Sequence, residues 1–409
     1  MNSLPVVEIL TVGNEILTGS VLNGNAAFLG KELNAQGFEV RYQSSCPDQK
    51  EGIYEALRTA MRRAQITIVT GGLGPTPDDV TRDSVAGYFQ VPLVFSKTQF
   101  REIAGHYRKR GKKVPSLVKR EAYFPANAVP LINQFGIALG FSIEERGRLL
   151  FVLPGVPGEL IRLFSHRVLP FLKRRFPGIR ARGALVVKTI GVSEAVIMRR
   201  LKNKFFQLGS FDFGIYPESG EVSLRLYARE TPVLRRVKKY ITQRLKDDIY
   251  TFRNESIEEV VGRCLSRRRG LLAVAESCTG GGLSQRIVRC PGASRYFLGS
   301  VVAYQNRLKI SELDVSKRVL RKKGAVSKET AIQMAEGVRK RFKSTLGLSV
   351  TGIAGPTGGT QKKPVGLVCF GLVAPGRSLA WQDSFYGDRE QVQERAVKKA
   401  LEYLWRWVR

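Results

Sequence analysis

The first seventy residues alternate apolar runs with amphipathic stretches. Residues 6–12 (VVEILTV) read as a strand, 25–36 as a helix and 38–43 as a second strand. A helix follows over 51–63, then a third, fully apolar strand over 66–70. Strands alternating with helices predict a parallel sheet covered on both faces. The third strand runs into TGGLGPTPDDVTRD (70–83), past a strand's carboxyl end, where open α/β sheets bind ligands. Thr81 is placed to cap the helix after it. Residues 171–184 read as a connection. A small α+β unit comes next: a strand at 185–190, a helix over 193–208, strands near 211–217 and 222–229, and a basic helix ending near Lys246. The best boundary before the last part falls at 253–257. That part opens on a buried strand at 271–275, a turn of three glycines, Gly280 to Gly282, and a helical pattern over 283–288. A second apolar run, 346–350, enters another glycine-rich loop at Thr351 and Gly352.

Composition narrows the chemistry. The chain has 409 residues, 43% of them hydrophobic, enough for two or three domains. No apolar run approaches the ~20 residues of a membrane span, and MNSLPVVEIL lacks the pattern of a secretory signal. The five cysteines are scattered without a C-x-x-C pair, so neither a disulfide framework nor a zinc site is predicted. A cytoplasmic protein is expected. With only His106 and His166, neither in a motif, general-base work falls to Lys, Asp, Glu or Tyr. The net charge of +32 is spread in short clusters such as 108–113, 173–175 and 267–269. It reads as a basic solvated surface, and a nucleic-acid partner is not expected.

Two stretches carry candidate chemistry. In AESCTGGG (275–282) a strand, a glycine turn and a helix start would aim free backbone N–H groups at Ser277, a place suited to an anion. A plain turn with a capping hydroxyl is the alternative. In TGGLGPTPDD the glycines would admit a ligand close to the backbone, and Asp78, Asp79 and Asp83 offer hard oxygen ligands to a divalent cation.

AESCTGG, VVAYQNRLK (301–309), GAVS (324–327), TGIAGPTGGT (351–360), KPVG (363–366) and FYGDR (385–389) resemble, in order and spacing, the CinA C-terminal family. Its single-domain members are nicotinamide mononucleotide (NMN) deamidases. GNEILTG (13–19), TGGLGPTPDDVT and LPGVPGE (153–159) resemble the MoaB/Mog molybdopterin-binding domain in the form that opens CinA proteins. The order of elements between resembles the KH-like middle domain of that family, although no GXXG loop of nucleic-acid KH modules is present. The resemblance implies an N-terminal three-layer α/β/α domain over 1–170, a small α+β unit over 171–252 and a C-terminal α/β domain over 253–409.

It further implies hydrolysis of the NMN carboxamide, in pyridine nucleotide salvage, by Ser277 with Lys309 as base and Tyr304 as relay or orienting group. No cofactor is required for that step. Cys278 is the rival nucleophile, although an adjacent residue on a strand end points the other way. Thr279, Gly280, Thr351, Gly352 and Arg389 would bind the substrate. In the N-terminal domain the resemblance implies metal-dependent cleavage of ADP-ribose-type pyrophosphates. Gly71, Gly72, Gly74 and Thr76 would hold the substrate, and Asp78, Asp79 and Asp48 a divalent metal such as Mg²⁺. The family's G-T-A-P-G is Gly136-Ile137-Ala138-Leu139-Gly140 here, so a hydroxyl that could face phosphate is lost. Small-molecule nucleotides are the expected partners, and a homodimer the expected assembly. A non-enzymatic, nucleotide- or nucleic-acid-associated role in competence is the remaining alternative.

Overall fold

The computed structural model describes residues 4–218 and 220–409. The chain divides after Gly183 into two compact units. In the first, β1 (Val6–Val12) leads through a one-turn α1 (Asn14–Leu17) to α2 (Gly24–Ala35), β2 (Glu39–Cys46), α3 (Lys50–Arg63) and β3 (Ile66–Thr70). Then come α4 (Thr81–Tyr88), β4 (Leu93–Phe95), α5 (Lys97–Lys109), β5 (Tyr123–Pro125), β6 (Val129–Leu131), β7 (Gly140–Glu145) and β8 (Arg148–Leu153). The unit closes with α6 (Pro157–Leu163), a π-helical turn (Phe164–Val168) and α7 (Leu169–Arg175).

The main sheet runs β2-β1-β3-β8-β7-β6. Its first four strands are parallel, and β7 and β6 are antiparallel. Every residue of β1 is buried, because the strand is covered on both faces. Val7 and Ile9 pack with Leu29 of α2 and Leu160 of α6. Leu10 and Val12 face the other way, onto Ile53 and Leu57 of α3. Three layers result, as the alternating pattern implies. Thr11 lies opposite Thr70, so β1 and β3 end level and their following loops meet.

Two local expectations fail here. Thr81 does not cap α4: it is the first helical residue, and its buried hydroxyl has no partner among the described residues. Residues 171–175 are not connection but the end of α7. Leu172 is fully buried in the core of this unit, so the helix is held by packing that its basic sequence hides.

The second unit holds two sheets. β9 (Gly183–Ile190), α8 (Glu194–Leu201), β10 (Asp212–Glu218), β11 (Glu221–Ala228), α9 (Thr231–Leu245) and β12 (Ile249–Thr251) build the order β10-β11-β9-β12. The expected helix over 193–208 breaks at Lys202, where φ is +56°. A 3-10 turn (Asn203–Gln207) then carries Phe205 into contact with Phe211 and Phe213.

α10 (Ile257–Arg267) starts on a capping box between Ser256 and Glu259. It is followed by β13 (Leu272–Glu276), α11 (Gly282–Val288), β14 (Phe297–Val302), α12 (Asn306–Leu313), α13 (Lys317–Lys323) and α14 (Lys328–Arg341). β15 (Leu346–Gly352), β16 (Leu367–Ala374), β17 (Arg377–Ser384) and α15 (Arg389–Val408) complete the chain. The sheet order is β14-β13-β15-β16-β17, parallel over its first three strands. β13 is thus a central strand, with α10 and α15 packed on one face and α14 on the other. α15 also reaches the four-stranded sheet. Its Lys398 lies 3.5 Å from Glu221, and its Arg406 lies 3.3 Å from Asp248. Among the described residues no helix is long and apolar enough to cross a membrane.

Candidate active site

Ser277 follows β13 directly, and its N–H donates to the Val350 carbonyl of β15 at 2.9 Å. The serine is therefore fixed by the sheet at the carboxyl end of its central strand. β14 ends alongside, and the chain passes through Ala303 and Tyr304 into α12. That helix turns Lys309 back under the serine, with Nζ 2.9 Å from Ser277 Oγ. The ammonium also lies 2.6 Å from the Ala303 carbonyl and 3.3 Å from that of Tyr304. Lys309 is 1% exposed. Burial without a carboxylate partner pushes its pKa down from 10.5 to about 8. The protonated form still dominates at pH 7, but roughly a tenth of the amine is then neutral, the form a base requires, and that share grows as pH rises toward 8.

The cleft over this pair has a volume of about 160 Å³. Tyr304, Thr351, Gly352 and Arg389 line it, with Asn306, Ala325 and Val326. The Tyr304 hydroxyl does not reach Lys309; it accepts from Arg389 at 2.8 Å, and only the Tyr304 carbonyl touches the lysine. Arg389, the first residue of α15, also donates to the Gly355 carbonyl at 2.6 Å. The Thr351 hydroxyl is buried and donates to the Ala325 carbonyl at 3.0 Å, so it holds the cleft wall. Lys363 of KPVG binds the carbonyls of Lys323 and Val326 and closes the same wall. Thr279 and Gly280 lie outside the lining. Cys278 also contributes to the lining, but it is buried in the hydrophobic core, and burial raises its thiol to about 12.

The free helix N-terminus expected beside Ser277 is already occupied. Buried Glu276 accepts from the N–H groups of Gly281, Leu283 and Ser284 at 2.9–3.1 Å, and from the Ser284 hydroxyl. A carboxylate from the chain itself satisfies these donors. The Cys278 N–H, next to the serine, has no acceptor on another residue among the described residues. A carboxylate just before the glycine turn is the sequence signal for this arrangement.

In the first unit the loop 70–83 closes largely on itself. Thr76 donates from its N–H and hydroxyl to Asp79 Oδ2, at 3.0 and 2.5 Å. A side chain on Gly74 would strike that carboxylate, and one on Gly71 would strike the Val12 carbonyl at 2.1 Å. These glycines serve internal contacts as well as any ligand. Asp48 accepts from the Asn14 N–H at 2.8 Å, and burial, followed by the fields of Glu15, Asp78 and Asp79, raises its pKa. Asp83 is paired with Arg120 at 2.7 Å, and the same guanidinium reaches the Thr76 carbonyl at 3.4 Å. Among the described residues no three His, Cys, Asp or Glu side chains converge as a ready cation site. Leu139 is fully buried, and Ile137 packs against the cluster around Ile103, so both fill core where the family's G-T-A-P-G would run. Sequence reading also missed Arg82. It is fully buried beneath the loop, donates to the Leu73 carbonyl at 2.6 Å and leaves Nε and one terminal nitrogen unpaired among the described residues.

An α/β chain with a glycine-loop unit and a serine–lysine cleft matches two family models. Residues 254–408 match the CinA C-terminal domain, and 8–174 a probable molybdopterin binding domain. A putative competence-damage inducible protein of Clostridium acetobutylicum is 37% identical over 404 residues, covering 97% of this chain and 98% of that protein. A CinA-like protein of Kosmotoga olearia is 36% identical, with 97% of each chain covered. Among solved structures, the competence/damage inducible protein CihA of Agrobacterium tumefaciens is 35% identical over 37% of this chain and 94% of its own, with a TM-score of 0.35. The chain belongs to the CinA family.

Proposed function

We propose that the C-terminal cleft hydrolyses the carboxamide of nicotinamide mononucleotide, giving nicotinic acid mononucleotide and ammonia. The observation that carries this reading is the buried Lys309 Nζ at 2.9 Å from Ser277 Oγ, with its pKa lowered to about 8. In the neutral amine, two N–H groups are held by the Ala303 and Tyr304 carbonyls. The lone pair is left to accept the serine proton.

Ser277 Oγ attacks the amide carbon as its proton passes to Lys309. The oxyanion is received by the Cys278 N–H. Lys309 then gives the proton to the departing nitrogen, which leaves as ammonia, and the acyl group remains on Ser277 as an ester. Water attacks the ester, losing a proton to Lys309, and the serine is regenerated with a carboxylate product. Arg389, anchored by Gly355 and Tyr304, presents its remaining N–H donors to the substrate phosphate. The test is ammonia release from NMN by the purified chain, with and without chelator. Release insensitive to chelator is expected, and absence of release overturns the reading.

We also propose a second activity for the first unit: binding of an ADP-ribose-like pyrophosphate and its cleavage with a divalent cation. The supporting observation is that Asp48, just after β2, accepts from the Asn14 N–H after β1 at 2.8 Å and lies near the loop after β3, so that Asp78 and Asp79 add to the larger effects of burial and Glu15 in raising its pKa. Having no ready three-acid cage, the loop would hold a cation by one or two carboxylates, and the pyrophosphate would supply further oxygens. Metal-dependent AMP release from ADP-ribose tests this. A protein that neither cleaves nor binds such nucleotides leaves the unit a scaffold.

A further inference from the structure

In the first unit the main sheet ends on the antiparallel strands β7 and β6. A groove of about 350 Å³ opens between the edge strand β6 and the helical segment carrying the π turn. Its floor is apolar. Half-buried Leu131 and Phe171 form it over the buried Leu149 and Phe151, and Phe171 of α7 meets Phe151 edge to face at 5.6 Å. Val129 on β6 is 64% exposed at its mouth. None of these residues belongs to the loop at 70–83.

The helical wall brings charge to this floor. Arg167, Phe171 and Arg174 are spaced i, i+4, i+7, so they share one helix face. All three line the groove. Arg167 sits within the π turn (Phe164–Val168), a wide-turn irregularity of the kind that often marks functional sites. Neither Arg167 nor Arg174 has an ion pair or hydrogen bond among the described residues. The one carboxylate of the lining, Glu144, is already held by Arg175 at 3.1 Å. An apolar floor under two unpaired guanidinium groups is complementary to an amphiphilic anion.

The edge strand decides between two occupants. A peptide could add as a further strand to β6, but the middle residue of that three-residue strand is Pro130, which has no N–H to offer. Strand addition is disfavoured there, whereas a small amphiphile needs no edge donor. We propose that this groove is a binding site for a small amphiphilic anion, an alkyl carboxylate or phosphate. The tail lies on Leu131 and Phe171, beside the exposed Val129, and the head lies between Arg167 and Arg174.

Calorimetry on the full-length chain tests it with sodium octanoate, octan-1-ol and inorganic phosphate. Octanoate is expected to saturate one site. The alcohol, with the same tail and no charge, and phosphate, with charge and no tail, should each bind at least about tenfold more weakly, as loss of ~1.4 kcal/mol implies. The double variant R167Q/R174Q, altered only at exposed side chains, should lose a similar factor for octanoate. Ser142→Trp, which fills the groove from β7, should abolish binding. No saturable octanoate binding to the wild type, octan-1-ol binding as tight as octanoate, or retained affinity in either variant overturns the proposal. If the tryptophan variant fails to fold, the arginine variant decides alone.

Discussion

Replacing Lys309 with methionine separates the cost of burying the ammonium from its use. Methionine keeps an apolar stem of similar length and cannot titrate. The ordinary lysine pKa is 10.5 and the folded value is about 8. The difference corresponds to ~3 kcal/mol by which the fold disfavours the charged form. Below about pH 8 the lysine is protonated in both states, so the folded protein bears that cost in full. Between about 8 and 10.5 the folded protein releases the proton while the unfolded chain keeps it, so stability rises with pH. Above about 10.5 both are neutral and the cost is gone. The stability of wild type minus that of Lys309→Met should therefore rise by ~3 kcal/mol from neutral pH to about pH 11. Losing the contacts to Ala303, Tyr304 and Ser277 adds an offset of about 1 kcal/mol each, which does not depend on pH. All three tryptophans, Trp381, Trp405 and Trp407, lie in the second unit, so urea unfolding followed by their fluorescence reports on the right part. Activity should fall by about 10²–10⁴, the usual worth of a general base. A stability difference that stays flat or falls as pH rises would refute the reasoning, because Lys309 would then not be held against its charge.

Two further outcomes follow from named contacts. Arg389→Ala frees the Tyr304 hydroxyl and removes the proposed phosphate donor; KM for NMN should rise at least about tenfold with kcat less affected, measured by steady-state ammonia release. Asp79→Asn weakens the carboxylate that holds Thr76 and any cation nearby; metal-dependent ADP-ribose cleavage should fall at least about tenfold, while NMN deamidation stays unchanged in the same preparation.

The sequence displays what repeats locally and conceals what depends on distant register. The strands at 6–12, 66–70 and 271–275 are legible because buried strands are continuously apolar, and their apolar runs match β1, β3 and β13. The contact between Ser277 and Lys309 is not legible from spacing. It arises because β14 lies parallel beside β13 and α12 folds back from its end. Glu276 looks like an ordinary strand-end acid, yet the turn after it wraps three N–H groups around its carboxylate. Arg82 reads as a surface charge on a helix and is buried because α4 packs under its own preceding loop. The basic residues of α15 likewise read as part of a basic solvated surface. Its Lys398 and Arg406 are instead tied to Glu221 of β11 and to Asp248 in the turn before β12.

The central claim is that Ser277 is the nucleophile of an amide hydrolase, and one comparison tests it most directly. NMN is incubated with wild type, Ser277→Ala and Cys278→Ala, and ammonia and nicotinic acid mononucleotide are quantified together. The buried thiol, raised to about 12, is a poor nucleophile at neutral pH, so Cys278→Ala should retain most of the activity. Ser277→Ala should remain folded and release no ammonia above background. Deamidation that persists without Ser277 and vanishes without Cys278 would contradict the account.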